Sequence, residues 1–475
     1  MNGPREKCGV VGMALEDRPV SRPLYYALYT LQHRGQESAG IVTHDGFQQH
    51  GHVGMGLVGD VFDDPTLEGL EGTTGIGHVR YPTAGSVDAS NAQPFTVSFK
   101  GGSLGLAHNG NLVNADALRD ELAAKGHPFT SNGDTEVIAH DLARHLLEEP
   151  LVAAVERTMG RLHGSYALTV MRDDAVLGIR DPEGNRPLSL GELDDGYVLA
   201  SESAAIDTLG GELIRDVRPG ELIRLAPDGS GYESHQLVEL DRTAHCFFEY
   251  VYFARPDSLI DGRLVYDVRR DLGKRLWADH GVDTDVVLPV PDSGRAAAAG
   301  YAAAATEAGA DLELAEGLMK NRYVGRTFIM PTQEERERAV RLKLNAIRTT
   351  VEGATVTLVD DSVVRGTTSS ELVQLLREAG AEAVHLRIGS PPVVAPCYLG
   401  IDMASREELI AADRSVEAVE DAVDADSLGY LSVDAVAEVI GLDREDLCLG
   451  CVTGAYPYAI EGESADRPVA DGGTR

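Results

Sequence analysis

Residues 355–360 read TVTLVD, a strand run of β-branched and apolar residues with no charge before its end. It ends on Asp360 and Asp361 and passes through Arg365, Gly366, Thr367 and Thr368 into the amphipathic stretch SSELVQLLREAG. A run apolar on both faces belongs in a sheet covered on both sides, and a strand that feeds a helix is the repeating unit of a parallel sheet. The neighbouring sequence keeps that alternation. LVYDVRRDLGKRLWADHG and the Ala-rich RAAAAGYAAAATEAG have helical character, whereas VVLPVP and AVHLRIG are strand runs. From about residue 257 the chain is therefore expected to form an α/β domain with a parallel sheet, its sites at the C-terminal ends of the strands.

The first 240 residues follow another pattern. Short apolar runs separated by Gly-containing turns, such as GLVGDVF, FTVSFKGGSLGLAHNGNLVN and SYALTVMRDDAVLGIRD, indicate strands in layered sheets. Between them, residues 116–125 and 134–147 place apolar side chains every three or four positions and read as helices. An α+β layered sandwich is expected for this half. At 475 residues the chain is too long for one ordinary core, and two domains fit it.

Charge excludes several classes of function. The formal net charge is −34 and Lys is scarce beside Arg. A nucleic-acid-binding chain would carry a basic excess, so no nucleic-acid partner is expected. A dense carboxylate surface suits a molar-salt cytoplasm, where charges are screened beyond about 3 Å, and a halophilic source is expected. No apolar run approaches the roughly 18 residues of a membrane span, and MNGPREK lacks the apolar core of a signal peptide. A cytoplasmic protein with no membrane partner follows.

Two groups of motifs carry chemistry. The first comprises EKCGVVG around Cys8, HRGQESAG at 33–40, GHVRYPTAG at 77–85, AHNGN at 107–111 and NGDTE at 132–136. The second is the segment at 355–370. There, paired carboxylates suit ribose hydroxyls and a hydrated Mg²⁺, and a Gly-Thr-Thr turn at a helix N-terminus offers N–H and hydroxyl donors to a phosphate. The segment VVLPVPDSG repeats a strand-end loop and supplies Ser293. Residues 320–348 carry eight basic side chains against three acidic ones, a local reversal that points to a polyanion contact.

Together these motifs resemble the N-terminal nucleophile (Ntn) glutamine amidotransferases and the phosphoribosyltransferases. From Cys8 to about residue 456 the chain is similar to the amidophosphoribosyltransferase family. The resemblance implies a propeptide at 1–7, an Ntn-type glutaminase domain at 8–240 and a phosphoribosyltransferase domain at 250–400. A C-terminal cysteine-bearing segment at 401–457 and a disordered tail at 458–475 complete the division. It makes Cys8 the nucleophile, with its own α-amino group as base once residues 1–7 are removed; an α-amine titrates near 8, whereas a peptide nitrogen takes no proton. Asn109 and Gly110 become oxyanion donors, and Arg80 and Asp134 hold the α-carboxylate and α-ammonium of glutamine. Ser293, Asp360 and Asp361 are assigned to one Mg²⁺ per subunit, and Arg365, Gly366, Thr367 and Thr368 to phosphoribosyl pyrophosphate. The basic segment, punctuated by Gly325 and Pro331, would close over that substrate, and a shielded passage would carry ammonia between the sites. The implied reaction forms 5-phosphoribosylamine, glutamate and pyrophosphate. Purine nucleotides are implied as feedback inhibitors and a homotetramer as the assembly.

Five cysteines occur in the chain. Apart from Cys8, the thiols of Cys246, Cys397, Cys448 and Cys451, the last two in a CxxC, suit Zn²⁺ or a [4Fe–4S] cube equally by spacing. The resemblance selects one [4Fe–4S] cluster per subunit, with a structural role. Two rival readings account for less of the chain. A phosphoribosyl pyrophosphate-sensing repressor needs a basic DNA-binding module, and a glutamine-dependent sugar aminotransferase has no use for VDDSVVRGTTS. His33, His78 and His108 are read as structural.

Overall fold

The computed structural model describes residues 8–81, 89–321, 344–401, 403 and 405–460. Expectations for the propeptide at 1–7, the PTAG part of the third motif, Gly325, Pro331 and most of the basic segment fall outside them.

The N-terminal half is a four-layer sandwich of two antiparallel sheets between helices. One sheet has seven strands. Its centre is β1 (Gly9–Leu15), flanked on one side by β4 (Thr74–Arg80), β2 (Ser38–His44) and β3 (Gln49–Met55), and on the other by β10 (Gly196–Ala200), β9 (Ser189–Leu193) and β11 (Glu212–Asp216). The six-stranded sheet runs in the order β13 (Tyr232–Gln236), β12 (Glu221–Leu225), β8 (Ala175–Arg180), β7 (Gly164–Arg172), β6 (Gly102–Leu112) and β5 (Phe95–Phe99). Val10, Ala14, Ile76, Ala107, Ala167 and Met171 fill the space between the sheets. Each sheet's outer face takes its own helices. Ser21–Thr30 packs Leu24, Ala27 and Leu28 on one, and Asp134–His145 packs Val137, Ile138 and Leu142 on the other. Strands apolar on both faces are the consequence, and β1 and β4 are buried at every position.

The second half is built on a five-stranded parallel sheet in the order Glu313–Leu314, Val286–Pro289, Thr355–Asp360, Ala383–Ile388, Ser427–Tyr430. Helices Val265–His280 and Arg295–Glu307 bury one face, with Val268, Leu272 and Ala298 in that core. Helix Thr367–Glu378 covers the other with Leu372, Val373 and Leu376. The fifth strand, Ser427–Tyr430, comes from beyond residue 400. This is the expected α/β architecture, and its central strand delivers Asp360 and Asp361.

Two features join the halves. Strand β14 (His245–Cys246) pairs in parallel with Leu447–Cys448, setting Cys246 beside Cys448. The tail, expected to be disordered from residue 458, is docked at Tyr458, whose hydroxyl donates to Gly164 O at 3.0 Å and to the Glu183 carboxylate. Residues 461–475 lie outside the described chain. Among the described residues no helix is long and apolar enough to cross a membrane.

Candidate active sites

Cys8 sits at the head of the central strand β1. The antiparallel register pairs Gly9 with Val79, which carries Cys8 to the end of β4, where Arg80 lies. The thiol is buried and donates weakly to Tyr81 O at 3.6 Å. Burial pushes it up to about 11, against the opposing pull of the Tyr81 hydrogen bond and the Arg80 charge. So buried a thiol, still joined to Lys7, is a poor nucleophile and needs a base beside it.

One cleft gathers Cys8, Arg80, Gly110 and Asp134. Arg80 is buried and donates through Nη1 to Glu37 Oε2 at 2.9 Å, which fixes the fork's direction. Asp134 is the first residue of its helix and accepts the Leu112 N–H of β6 at 3.0 Å. Burial raises its carboxyl, but His108, 3.4 Å away, and the Leu112 amide outweigh that and hold it below the usual value. A guanidinium and an ionised carboxylate thus flank the thiol, the pair of charges that an α-amino acid presents in reverse. Asn109 lies between His108 and Gly110 on β6, fully buried, and neither atom of its amide has a hydrogen-bond partner. Its side chain is not among those that line the cleft, which His108 and Gly110 on either side of it reach, and a buried orphaned amide at that position calls for an explanation. Gly110 has φ +155°, and a Cβ there would lie 2.0 Å from Ser165 O.

The second cleft opens at the C-terminal edge of the parallel sheet and has a volume of about 300 Å³. Ser293, Asp360, Asp361, Arg365, Gly366 and Thr368 line it. Thr367 opens the adjoining helix. The Ser293 hydroxyl donates to Asp361 Oδ1 at 2.5 Å, and Ser362 donates to Oδ2 at 2.7 Å. Burial, then the neighbouring charge of Asp361, pushes the Asp360 carboxyl well up. Two carboxylates and a hydroxyl in a partly dry cleft are a hard-cation donor set, so the residues fit Mg²⁺. Gly366, at φ +76°, turns the chain so that the helix N-terminus faces the cleft. Arg365 pairs outward with Glu408 at 3.0 Å.

Sequence reasoning missed part of both sites. Asn91, Gln93 and Ser131 line the first cleft, and the Asn-Ala-Gln-Pro-Phe run at 91–95 was the signal available. His33 lines the second from the N-terminal half of the chain, and Tyr252, Arg255 and Arg269 line it from ahead of the strand Val286–Pro289. Arg269 donates to Tyr250 O and Ala254 O, both at 2.8 Å, and burial lowers its guanidinium to about 10. Between the clefts runs a buried chain of charges. Arg34 binds Glu202 through Nε and Glu249 through Nη2 at 2.6 Å. Glu202 also takes the His33 ring at 2.7 Å and the Arg255 N–H at 2.8 Å. His78 and His108 are buried among the strands, and the His78 ring meets His108 O at 3.0 Å.

The four remaining cysteines form a third site. All are free thiols, and each of Cys448 and Cys451 feels the charge of the other three or of two of them. Burial pushes Cys246 up to about 11 and Cys448 to about 12, and raises Cys397 and Cys451 as well. The Leu399 N–H donates to Cys397 Sγ at 3.4 Å. Among the described residues, which include all four thiols, no three of these sulfurs lie within 4.8 Å of one another. Tetrahedral zinc, with Zn–S near 2.3 Å, would draw them to about 3.8 Å. Beside them Arg186 is fully buried; its Nη1 lies 3.7 Å from Glu249 Oε1, and neither Nη1 nor Nη2 has a hydrogen-bond partner.

Comparison with known proteins joins the sites. Residues 79–208 match a glutamine amidotransferase domain family. Over 97% of its length the chain is 52% identical to the amidophosphoribosyltransferase of Archaeoglobus fulgidus, covering all of that protein. It is 49% identical to that of Methanothermobacter thermautotrophicus, with 97% of both chains covered. The chain belongs to the amidophosphoribosyltransferase family. A solved glutamine phosphoribosylpyrophosphate amidotransferase from Bacillus subtilis, complexed with ADP and GMP, superposes with a TM-score of 0.88 at 44% identity, covering 96% of this chain and 99% of that one. As an amidophosphoribosyltransferase the enzyme forms 5-phosphoribosylamine from phosphoribosyl pyrophosphate and glutamine, releasing glutamate and pyrophosphate, the first committed step of purine synthesis.

Proposed function

We propose the following division of labour among the residues. Removal of residues 1–7 frees the α-amino group of Cys8, which takes the thiol proton. The thiolate attacks the side-chain amide carbon of glutamine, held by Arg80 at its carboxylate and Asp134 at its ammonium. The Asn109 amide and the Gly110 N–H receive the oxyanion, ammonia leaves, and water releases glutamate from the thioester. Loss of one such donor typically costs about 100-fold or more. The orphaned, fully buried amide of Asn109 is the observation that carries this reading.

In the second cleft the Gly366 turn, Thr367 and Thr368 seat the 5′-phosphate, and Arg365 swings from Glu408 to the substrate. Asp360, Asp361 and Ser293 hold one Mg²⁺ per subunit, which when bound neutralises charge on the departing pyrophosphate. Arg269, deep in the cleft, supplies a fixed positive charge beside it. Ammonia reaches C1 of the ribose through a shielded passage, and the basic segment at 320–348 closes over the substrate. Cys246, Cys397, Cys448 and Cys451 hold one structural [4Fe–4S] cluster per subunit; four free thiols near the buried Arg186 support the reading. The ADP and GMP held by the B. subtilis structure support purine nucleotides as feedback inhibitors. The working assembly is a homotetramer in the cytoplasm of a halophile.

The test uses anaerobically purified protein in molar KCl with Mg²⁺. Glutaminase activity that depends on phosphoribosyl pyrophosphate, with glutamate and pyrophosphate formed in step, is expected, along with four irons per chain. Cys8→Ala should be inactive with glutamine and active with ammonia. Pyrophosphate release by neither donor from folded protein would overturn the reading.

A further inference from the structure

The loop that carries Cys397 leans on the strand that carries the oxyanion donors. Three consecutive residues of the loop each meet that strand or its neighbour. Tyr398 O accepts Asn111 Nδ2 at 2.8 Å. Leu399 O accepts the Ser165 hydroxyl at 2.7 Å. Gly400 approaches so closely that a Cβ there would lie 2.9 Å from the Gly110 carbonyl carbon. Asn111 and Ser165 face each other across β6 and β7 in register. Ser165 O in turn lies where any side chain at 110 would have to go. The far end of the loop is tied to the cysteine site by the Leu399 N–H on Cys397 Sγ, and Ser165 Oγ also accepts Arg186 Nε at 3.3 Å.

Neither Asn111 nor Ser165 bears a group needed for hydrolysis, and Asn109 has no internal partner to hold its amide in place. The direction of the donors is therefore set by the backbone of β6, and that backbone is clamped from behind at 110 and 111. We propose that residues 397–400 are a brace for the oxyanion site, with Asn111 and Ser165 as positioning residues that couple the cysteine centre to glutamine hydrolysis. The inference rests on the assignment of Asn109 and Gly110 as oxyanion donors.

A brace of this kind acts on the tetrahedral state and not on substrate binding, since misplacing a preorganised donor by about 1 Å costs on the order of 100-fold. Asn111→Ala and Ser165→Ala are compared with wild type as holoenzymes of equal iron content. The expected result is a fall in kcat with glutamine of about 10- to 100-fold, with KM for glutamine and the ammonia-dependent rate both within about twofold of wild type. The aldehyde analogue of glutamine, which forms a tetrahedral adduct with the thiol, should bind more weakly in step with kcat, while glutamate binding stays the same. An unchanged kcat overturns the brace, as does a parallel loss of glutamine and ammonia activities, which would mark a general structural defect. Asn109→Ala separates the two readings. If it is as active as wild type, the oxyanion assignment has failed; if it is inactive while both brace variants are normal, the brace alone has failed.

Discussion

At the residue scale the molecule turns on groups whose burial would disable them if they stood alone. While Lys7 precedes it, Cys8 has a thiol pushed up to about 11, so its thiolate fraction grows roughly tenfold per pH unit up to that point. Alkylation of the unprocessed form by iodoacetamide is expected to be very slow at pH 8 and to rise steadily toward pH 11. The processed form should react much faster at pH 8, and mass spectrometry of the N-terminal peptide measures both. Glu202 presents the opposite case. Burial would raise its carboxyl, but Arg34 and His33 hold it well below the usual range. Its contribution to stability is therefore present above the unfolded value near 4.3 and lost as pH falls through the lower folded value. Among the described residues Glu202→Gln leaves Arg34 with Glu249 as its one carboxylate partner, and a loss of about 3 kcal/mol is expected in denaturant unfolding at pH 7, with a flatter acid limb. That Arg80 and Asp134 share a cleft could be read from their motifs. The Arg34–Glu202 pair could not, because 168 positions separate its members and nothing local marks a partner that far away.

Among the elements, the helix beginning at Thr367 depends on the turn before it. Gly366 sits at φ +76°, where a Cβ costs about 1–2 kcal/mol and would lie 2.2 Å from Ile410 Cδ1. Gly366→Ala is expected to raise KM for phosphoribosyl pyrophosphate about tenfold or more in the ammonia-dependent assay, since about 1.4 kcal/mol lost from phosphate binding is a factor of ten. The elements of this half were legible where apolar runs and amphipathic stretches alternate, from residue 265 to 307 and again from 355 to 388. The helix expected at 134–147 runs from Asp134 to His145, a difference confined to its fraying end. What patterning did not yield is the strand at Ser427–Tyr430 and the two-residue strands at β14 and Leu447–Cys448. Such short strands owe their form to partners distant in sequence and have no periodicity of their own.

On the scale of the whole molecule, a net charge of −34 repels itself at low ionic strength and is screened within about 3 Å at 1 M salt. The midpoint of thermal unfolding is expected to rise by several degrees between 0.1 and 2 M KCl and to level off above that, as calorimetry would show. A midpoint indifferent to KCl would argue against a halophilic surface. The lining of the second cleft by His33 belongs to this scale too, because no motif could place an N-terminal residue against a C-terminal site. The pairing of β14 with Leu447–Cys448 has a consequence for how the chain is made. Cys246 leaves the ribosome about 200 residues before Cys448, an interval of roughly 10 to 40 s at ordinary elongation rates. During that time the glutaminase sandwich has all its strands and can fold, but the cysteine centre has no second wall. The iron centre proposed above would therefore be completed only after residues 447–451 have been made. A product that stops short of Leu447 carries Cys246 and Cys397 without that wall.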